Sequence, residues 1–227
     1  MKPIRVRILG RTSYASALEL QREAEKSCRE GDVGTLFLLE HEPVYTLGRN
    51  ASRKDVLVTP ERCEELGIEV FETDRGGKVT YHGPGQLVGY PVLDLSPDRR
   101  DVKRYVTDLE ETIIRTLGDF GIESGRSPLP ERVTSVWVGN DKIAAIGVHL
   151  SRWITTHGFA LNVATDLDRF LGIVPCGITD GGVTSMERIL GRRIPVDDVA
   201  RAYLPRFAEV FGREIRLEAT PASDERS

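Results

Sequence analysis

The chain has 227 residues, of which 40% are hydrophobic and 29% charged, and its formal net charge is −4. That is room for one large domain or two small ones around a real core, and the acidic balance argues against a general nucleic-acid binder. The three cysteines show no CxxC pair or disulfide-framework spacing, the start MKPIRVRILGR lacks a signal-peptide run, and no stretch approaches the roughly 20 apolar residues of a membrane span. The expectation is a cytoplasmic protein with reduced thiols: one domain over residues 1–217, and a polar, proline-bearing tail over 218–227 that is disordered.

In chain order, PIRVRIL alternates and reads as a strand. Residues from Ser13 to Arg29 favour a helix, with Leu18 and Leu20 pointing inward and Ala17, Ala24 and Cys28 near the same stripe. GTLFLLEH is a buried strand, and VYTLGR continues it. PERCEELGIEVF is a proline-started helical turn stopped by Gly67, then a strand, with Cys63 structural. QLVGYPVLDL reads as strand. In VKRYVTDLEETIIRTLGDFG, Val102, Tyr105, Val106, Leu109, Ile113, Leu117 and Phe120 recur at helical spacing before Gly121. RVTSVWVG, KIAAIGVHL and WITTHGFALNV read as strands, the first two joined by a tight turn at GND. VTSMERILG, starting near Thr184, and VDDVARAYLPRFAEVFG read as helices, and EIRLEA as a last strand. Hairpins mixed with helices make the fold class α+β, with a mixed, largely antiparallel sheet flanked by helices.

Three segments carry more glycine and chemistry than a scaffold needs. DRGGKVTYHGPGQLVGYP sets Arg75, Tyr81, His82 and Gln86 among Gly76, Gly77, Gly83, Gly85 and Gly89. Such glycine density needs tight turns or a backbone lying against a ligand. It matches neither GxGxxG nor a P-loop, so nucleotide binding has no direct support. In NDKIAAIGVHLSRWITTHGFALNV, Lys142 opens a strand of small residues, a pattern that leaves room for an acyl chain or a neighbouring helix. A lone lysine is ordinarily solvated. His149 and His157 read as locally bonded strand histidines, and no third ligand makes a metal site. IVPCGITDGGVTS kinks around Cys176, between Pro175 and Gly177. A thiol there is either a packed residue or, lifted by the bend, a nucleophile.

Taken together, LFLLEHEPVYTLGR, RGGKVTYHGPGQLVGYPVLDL, KIAAIGVHLSRWITTHGFALNV and IVPCGITDGGVTS resemble the lipoyl(octanoyl) transferases, the octanoyltransferases of lipoate biosynthesis, over roughly residues 33–190. One departure is HEP at 41–43, where the family commonly has a second proline. The resemblance implies the fold of biotin and lipoate protein ligases. It implies transfer of octanoyl from octanoyl-acyl carrier protein to a lysine of lipoyl domains, on 2-oxoacid dehydrogenases and the glycine cleavage H protein; no cofactor or metal is expected, and a monomer is the default expectation. Carried over by motif, Cys176 is the nucleophile and Lys142 its partner. Arg75, Gly76, Gly77, Lys78, Val79, Thr80, Tyr81 and His82, with Ala145, Ile146 and Gly147 and with Gly158, Phe159 and Ala160, line the acyl and pantetheine site. Oxyanion donors are expected at Cys176–Gly177 or Gly76–Gly77. A carrier-docking cluster is expected from Arg49, Arg53, Lys54, Arg152 and the Arg75–Lys78 strip. The rival reading is an ATP-dependent lipoate or biotin protein ligase on the same fold.

Overall fold

The computed structural model describes residues 1–127, 134–174 and 182–218. Cys176, its neighbours in 175–181 and the tail residues 219–227 therefore lie outside the described residues. Glu218 is held, its N–H donating to the Val6 carbonyl.

The chain opens with strand β1 (Lys2–Thr12) and helix α1 (Tyr14–Arg29), which starts where the Ser13 side chain accepts the Ser16 N–H. The buried stripe of α1 is Tyr14, Ala17, Gln21, Ala24 and Cys28; Leu18 and Leu20, expected to point inward, are only half-buried at its margins. Strands β2 (Thr35–His41) and β3 (Val44–Leu47) follow, then helix α2 (Pro60–Glu65), with proline in its first turn and Cys63 buried, and strands β4 (Glu69–Glu72), β5 (Val79–His82) and β6 (Gln86–Val92). Helix α3 (Val102–Asp119) buries Tyr105, Leu109, Ile113 and Leu117 completely, and Gly121 leaves it at φ +76°. Val102 stays exposed. Short β7 (Gly125–Arg126) precedes β8 (Ser135–Val138), β9 (Asp141–Ser151) and β10 (Ile154–Asn162). Gly139 turns β8 into β9 at φ +56°. The chain closes with α4 (Met186–Leu190), α5 (Val196–Phe211) and β11 (Arg213–Leu217). Helix α4 starts at Met186, later than Thr184, because Ser185 is its cap.

Eight strands form one sheet in the order β11-β1-β2-β6-β10-β9-β8-β7. The β11/β1/β2 pairs are parallel and the others antiparallel, so the α+β expectation of a mixed, largely antiparallel sheet holds. One expectation fails: β3 does not continue β2. It leaves for a second sheet, β4-β3-β5. Glu42 and Pro43 intervene; all four residues of β3 are buried, and Tyr45 packs into a separate core.

Alternation along the strands divides the large sheet into two faces. Leu36, Leu38, Leu87, Leu161 and Phe159 point to the side covered by α3 and α5, with Phe207 and Phe211. Phe37, Leu39, Val88, Val92 and Ala160 point to the side of α1. Where α1 ends, the small sheet takes over as cover. There Ala145 sits opposite Ala160, and Gly147 opposite Gly158. These short side chains cannot fill the gap beneath the small sheet. Among the described residues no helix is long and apolar enough to cross a membrane.

Candidate active site

The gap is a cavity of about 270 Å³. Its floor is Ala145, Ile146, Gly147, Gly158, Phe159 and Ala160; its cover is Arg75, Gly76, Gly77, Lys78, Val79, Thr80 and His82; Lys142 stands at one end. Of the residues expected to line the site, Tyr81 alone is elsewhere. Its ring packs between Tyr45 and Phe170 in the core of the small sheet. On β5, Thr80 and His82 alternate with Tyr81, while Val79, which shares Tyr81's core, also reaches the cavity. Tyr14, Tyr90, Thr134, Ser135 and His157 also line the cavity. Tyr14 and Tyr90 were not legible as site residues, because each reads as ordinary core in its own segment.

The cover is tied down through its backbone. Gly76 N–H donates to the Val148 carbonyl (3.0 Å), Gly48 N–H to Lys78 O, Arg49 N–H to Arg75 O and Asn50 N–H to Gly77 O. Gly147 permits this closeness, since a Cβ there would lie 2.9 Å from Gly76 O. Two expectations change. The Gly76 amide is committed to Val148 and cannot serve an oxyanion. Arg75 is buried, its guanidinium donating to Thr46 Oγ1 and O and to Gly76 O, so it fastens the small sheet and is no docking cation.

Lys142 is placed by a β-bulge. The β8–β9 register shifts between Val136 and Trp137, a device that re-aims a side chain beside a site. Its N–H donates to Gly182 O and its carbonyl accepts from Thr184 N–H, both at 3.0 Å. Residues 182–184 thus run alongside Lys142. N-terminal to Cys176, Val174 N–H donates to Asp55 O (2.8 Å). A buried network extends from Thr184: Asn162 Nδ2 donates to Thr184 O, Gln86 Nε2 donates to Asn162 Oδ1, and His82 Nδ1–H donates to Gln86 Oε1 (2.7 Å). Gln86 stood out in the sequence for its place among glycines; Asn162 and Thr184 carried no signal.

The other end of the cavity is aromatic and includes His82 and His157, with His41 packed against His82 and Tyr90. His41 Nδ1–H donates to the Thr12 carbonyl, so its Nε2 accepts from the Tyr90 hydroxyl (2.7 Å). Burial pulls the His41 pKa down to about 4. Burial, with the charges of His41 and Arg75, holds His82 well below its ordinary value. His157 is lowered by burial, against the opposing pull of Asp74, whose carboxylate accepts its Nε2–H at 2.8 Å. For Asp74 burial works upward, but the His157 hydrogen bond and the fields of His157 and His149 outweigh it and leave the carboxyl below its usual range. Of the expected docking cations, Arg49, Arg53 and Lys54 are exposed on the loop after β3. Arg152 is in the β9–β10 turn, at the far end of β9 from Lys142.

Residues 13–208 match the lipoyl protein ligase A/B catalytic domain. The octanoyltransferase of Solibacter usitatus is 54% identical over 96% of this chain and 97% of its own length. The chain belongs to the octanoyltransferase family of acyltransferases. The octanoyltransferase of Myxococcus xanthus is 51% identical over 97% of this chain, which spans 63% of that longer protein. Among solved structures, lipoate-protein ligase A bound with ATP superimposes with a TM-score of 0.79 at 20% identity, covering 98% of this chain and 90% of the ligase. At that identity the ligase likeness concerns the fold alone.

Proposed function

We propose that this octanoyltransferase-family enzyme moves an octanoyl group from octanoyl-acyl carrier protein to a lysine of lipoyl domains, through a thioester on Cys176. The observation that carries the reading is Lys142: it ends a covered, small-residue channel and is bonded through its backbone to the residues that follow the Cys176 segment.

The chemistry runs in two steps. The Cys176 thiolate attacks the thioester carbonyl, forming a new C–S bond; the old one breaks and the carrier's pantetheine thiol leaves with a proton from the Lys142 ammonium. The acceptor lysine amine then attacks the acyl-cysteine, gives its proton to the now neutral Lys142, and Cys176 departs as thiolate. The first step exchanges like for like and the second forms an amide, so no ATP is required. An unperturbed thiol of pKa about 8.5 is only a few per cent ionised near neutrality, and the adjacent ammonium favours the thiolate.

An acidic carrier suits the exposed face beside the channel. Arg53, Lys54 and Lys78 are exposed there, together with Leu57, Leu171 and Val174. The test is mass spectrometry after mixing with octanoyl-carrier protein. An octanoyl adduct is expected on the wild-type protein and none on Cys176→Ala; an adduct on Cys176→Ala overturns the nucleophile. The ligase reading predicts transfer from octanoate and ATP without carrier protein. Against it, the relatives at 46–54% identity are named octanoyltransferase.

A further inference from the structure

We infer that His157 is the end wall of the acyl channel and sets the longest chain the site accepts. The inference rests on the acyl-transfer reading above. A second hollow, an open groove of about 630 Å³ between α1 and the ends of β9 and β10, lies beyond the cavity. Among the described residues, His157 is the one that lines both hollows. It is 2% exposed. Val148, its partner on β9, is six residues along that strand from Lys142, about 20 Å at roughly 3.3 Å of rise per residue. A chain anchored at the Lys142 end therefore runs over Ala145, Gly147, Gly158 and Ala160 toward this imidazole.

The wall is built by an unusual backbone. Strict alternation would send His157 to the face of Phe159 and Leu161, into the core under α3 and α5. Its φ is +57°, a left-handed value that a non-glycine residue seldom adopts and that points to function when it is held in place. The ring consequently meets Tyr90 edge-on, and Nε2–H reaches Asp74. Buried Gln21 on α1 holds the kink by accepting the His157 N–H (2.7 Å). Neither Gln21 Nε2 nor His157 Nδ1 has a hydrogen-bond partner among the described residues, so both side chains are held there at the expense of satisfied polar groups. Beyond the ring the groove is polar, lined by Thr73, Asp74, Thr156 and Arg49. Removing the ring joins the channel to an open outlet.

The experiment measures kcat/KM for octanoyl, dodecanoyl, hexadecanoyl and octadecanoyl carrier-protein thioesters. It compares the wild-type enzyme with His157→Gly, which accepts a left-handed φ, and His157→Asn, which tolerates it and is shorter. The octadecanoyl-to-octanoyl ratio is expected to rise about tenfold or more in His157→Gly and less in His157→Asn. Titration with the free fatty acids, read by thermal shift, is expected to show the same widening without any turnover. Unchanged ratios and unchanged fatty-acid preference in both folded variants overturn the wall. If the wild-type enzyme transfers no acyl group from any thioester, the acyl-transfer reading fails instead, and the fatty-acid titration still decides the wall.

Discussion

The two faces of the eight-stranded sheet are made from the same strands and are filled in opposite ways. On the α3/α5 face Leu109, Ile113, Leu117, Ile143, Leu161 and Phe207 are all fully buried. On the other face, Ala145, Gly147, Gly158 and Ala160 leave a channel beneath the small sheet. Close packing supplies stability on the first face. On the second, filling is withheld and the small sheet covers a void. Adjacent residues of one strand therefore serve different ends: Ile146 joins the packed core while still bordering the cavity, and the short Ala145 and Gly147 open it.

This contrast predicts how variants should divide. The largest effect belongs to the chemistry at the channel's end. Cys176→Ala is expected to lower transfer by at least about 10³-fold. Lys142→Arg should lower kcat strongly, since arginine keeps the charge but accepts no proton near neutrality. Full activity in Lys142→Arg would leave Lys142 only a field effect.

Next is the packed face. Leu109→Ala should cost about 2–5 kcal/mol of stability, read by denaturant melts, with KM unchanged in the molecules that remain folded. A large KM change there would erase the distinction between the faces.

The buried histidines on the channel side give a pH signature of similar size. Unfolded, they titrate near 6.5; folded, His41 is held down at about 4, and His82 and His157 lie below their ordinary value. The unfolded chain binds more protons between those limits. Stability is therefore full above about pH 6.5 and falls as the pH drops toward 4. His41 alone contributes on the order of 3 kcal/mol across that window. A melting midpoint constant from about pH 7.5 to about pH 5 would contradict the neutral state of these rings.

Smaller still is Gly147→Ala. Its Cβ would stand 2.9 Å from the Gly76 carbonyl, so the cover must lift by a few tenths of an ångström. Transfer kcat/KM is expected to fall about tenfold with a minor change in melting temperature. The smallest effect is at the channel mouth. KM for the carrier protein should rise several-fold with salt if Arg53, Lys54 and Lys78 steer an acidic partner, and a flat KM removes that surface from the account.

Much of this was legible in the amino-acid order. The stripe from Tyr105 to Leu117, the turn at Gly139 and the small residues from Ala144 to Gly147 are local patterns, and local patterns report period and space. The grouping of Arg75–His82 with Ala145–Gly147 and Gly158–Ala160 came from resemblance, not from periodicity. Tyr81 was assigned to the site because its neighbours were, and its ring packs into the core of the small sheet instead. Arg75 read as a surface cation, and only the nearness of Thr46 makes it a buried clamp.

By itself the sequence determined most of the elements and the fold class, because each depends on side-chain chemistry and spacing within a few turns of chain; the Cys176–Lys142 pair is what the family resemblance implies. Tertiary structure alone decided that β3 leaves its neighbour to build a cover, that Gln86, Asn162 and Thr184 link His82 to the strand beside Lys142, and that His157 turns against its own alternation. Those outcomes depend on groups far apart in the chain, Gln21 with His157 and Gly76 with Val148 among them. Their hydrogen bonds form only once burial has brought the partners together and removed the competing water.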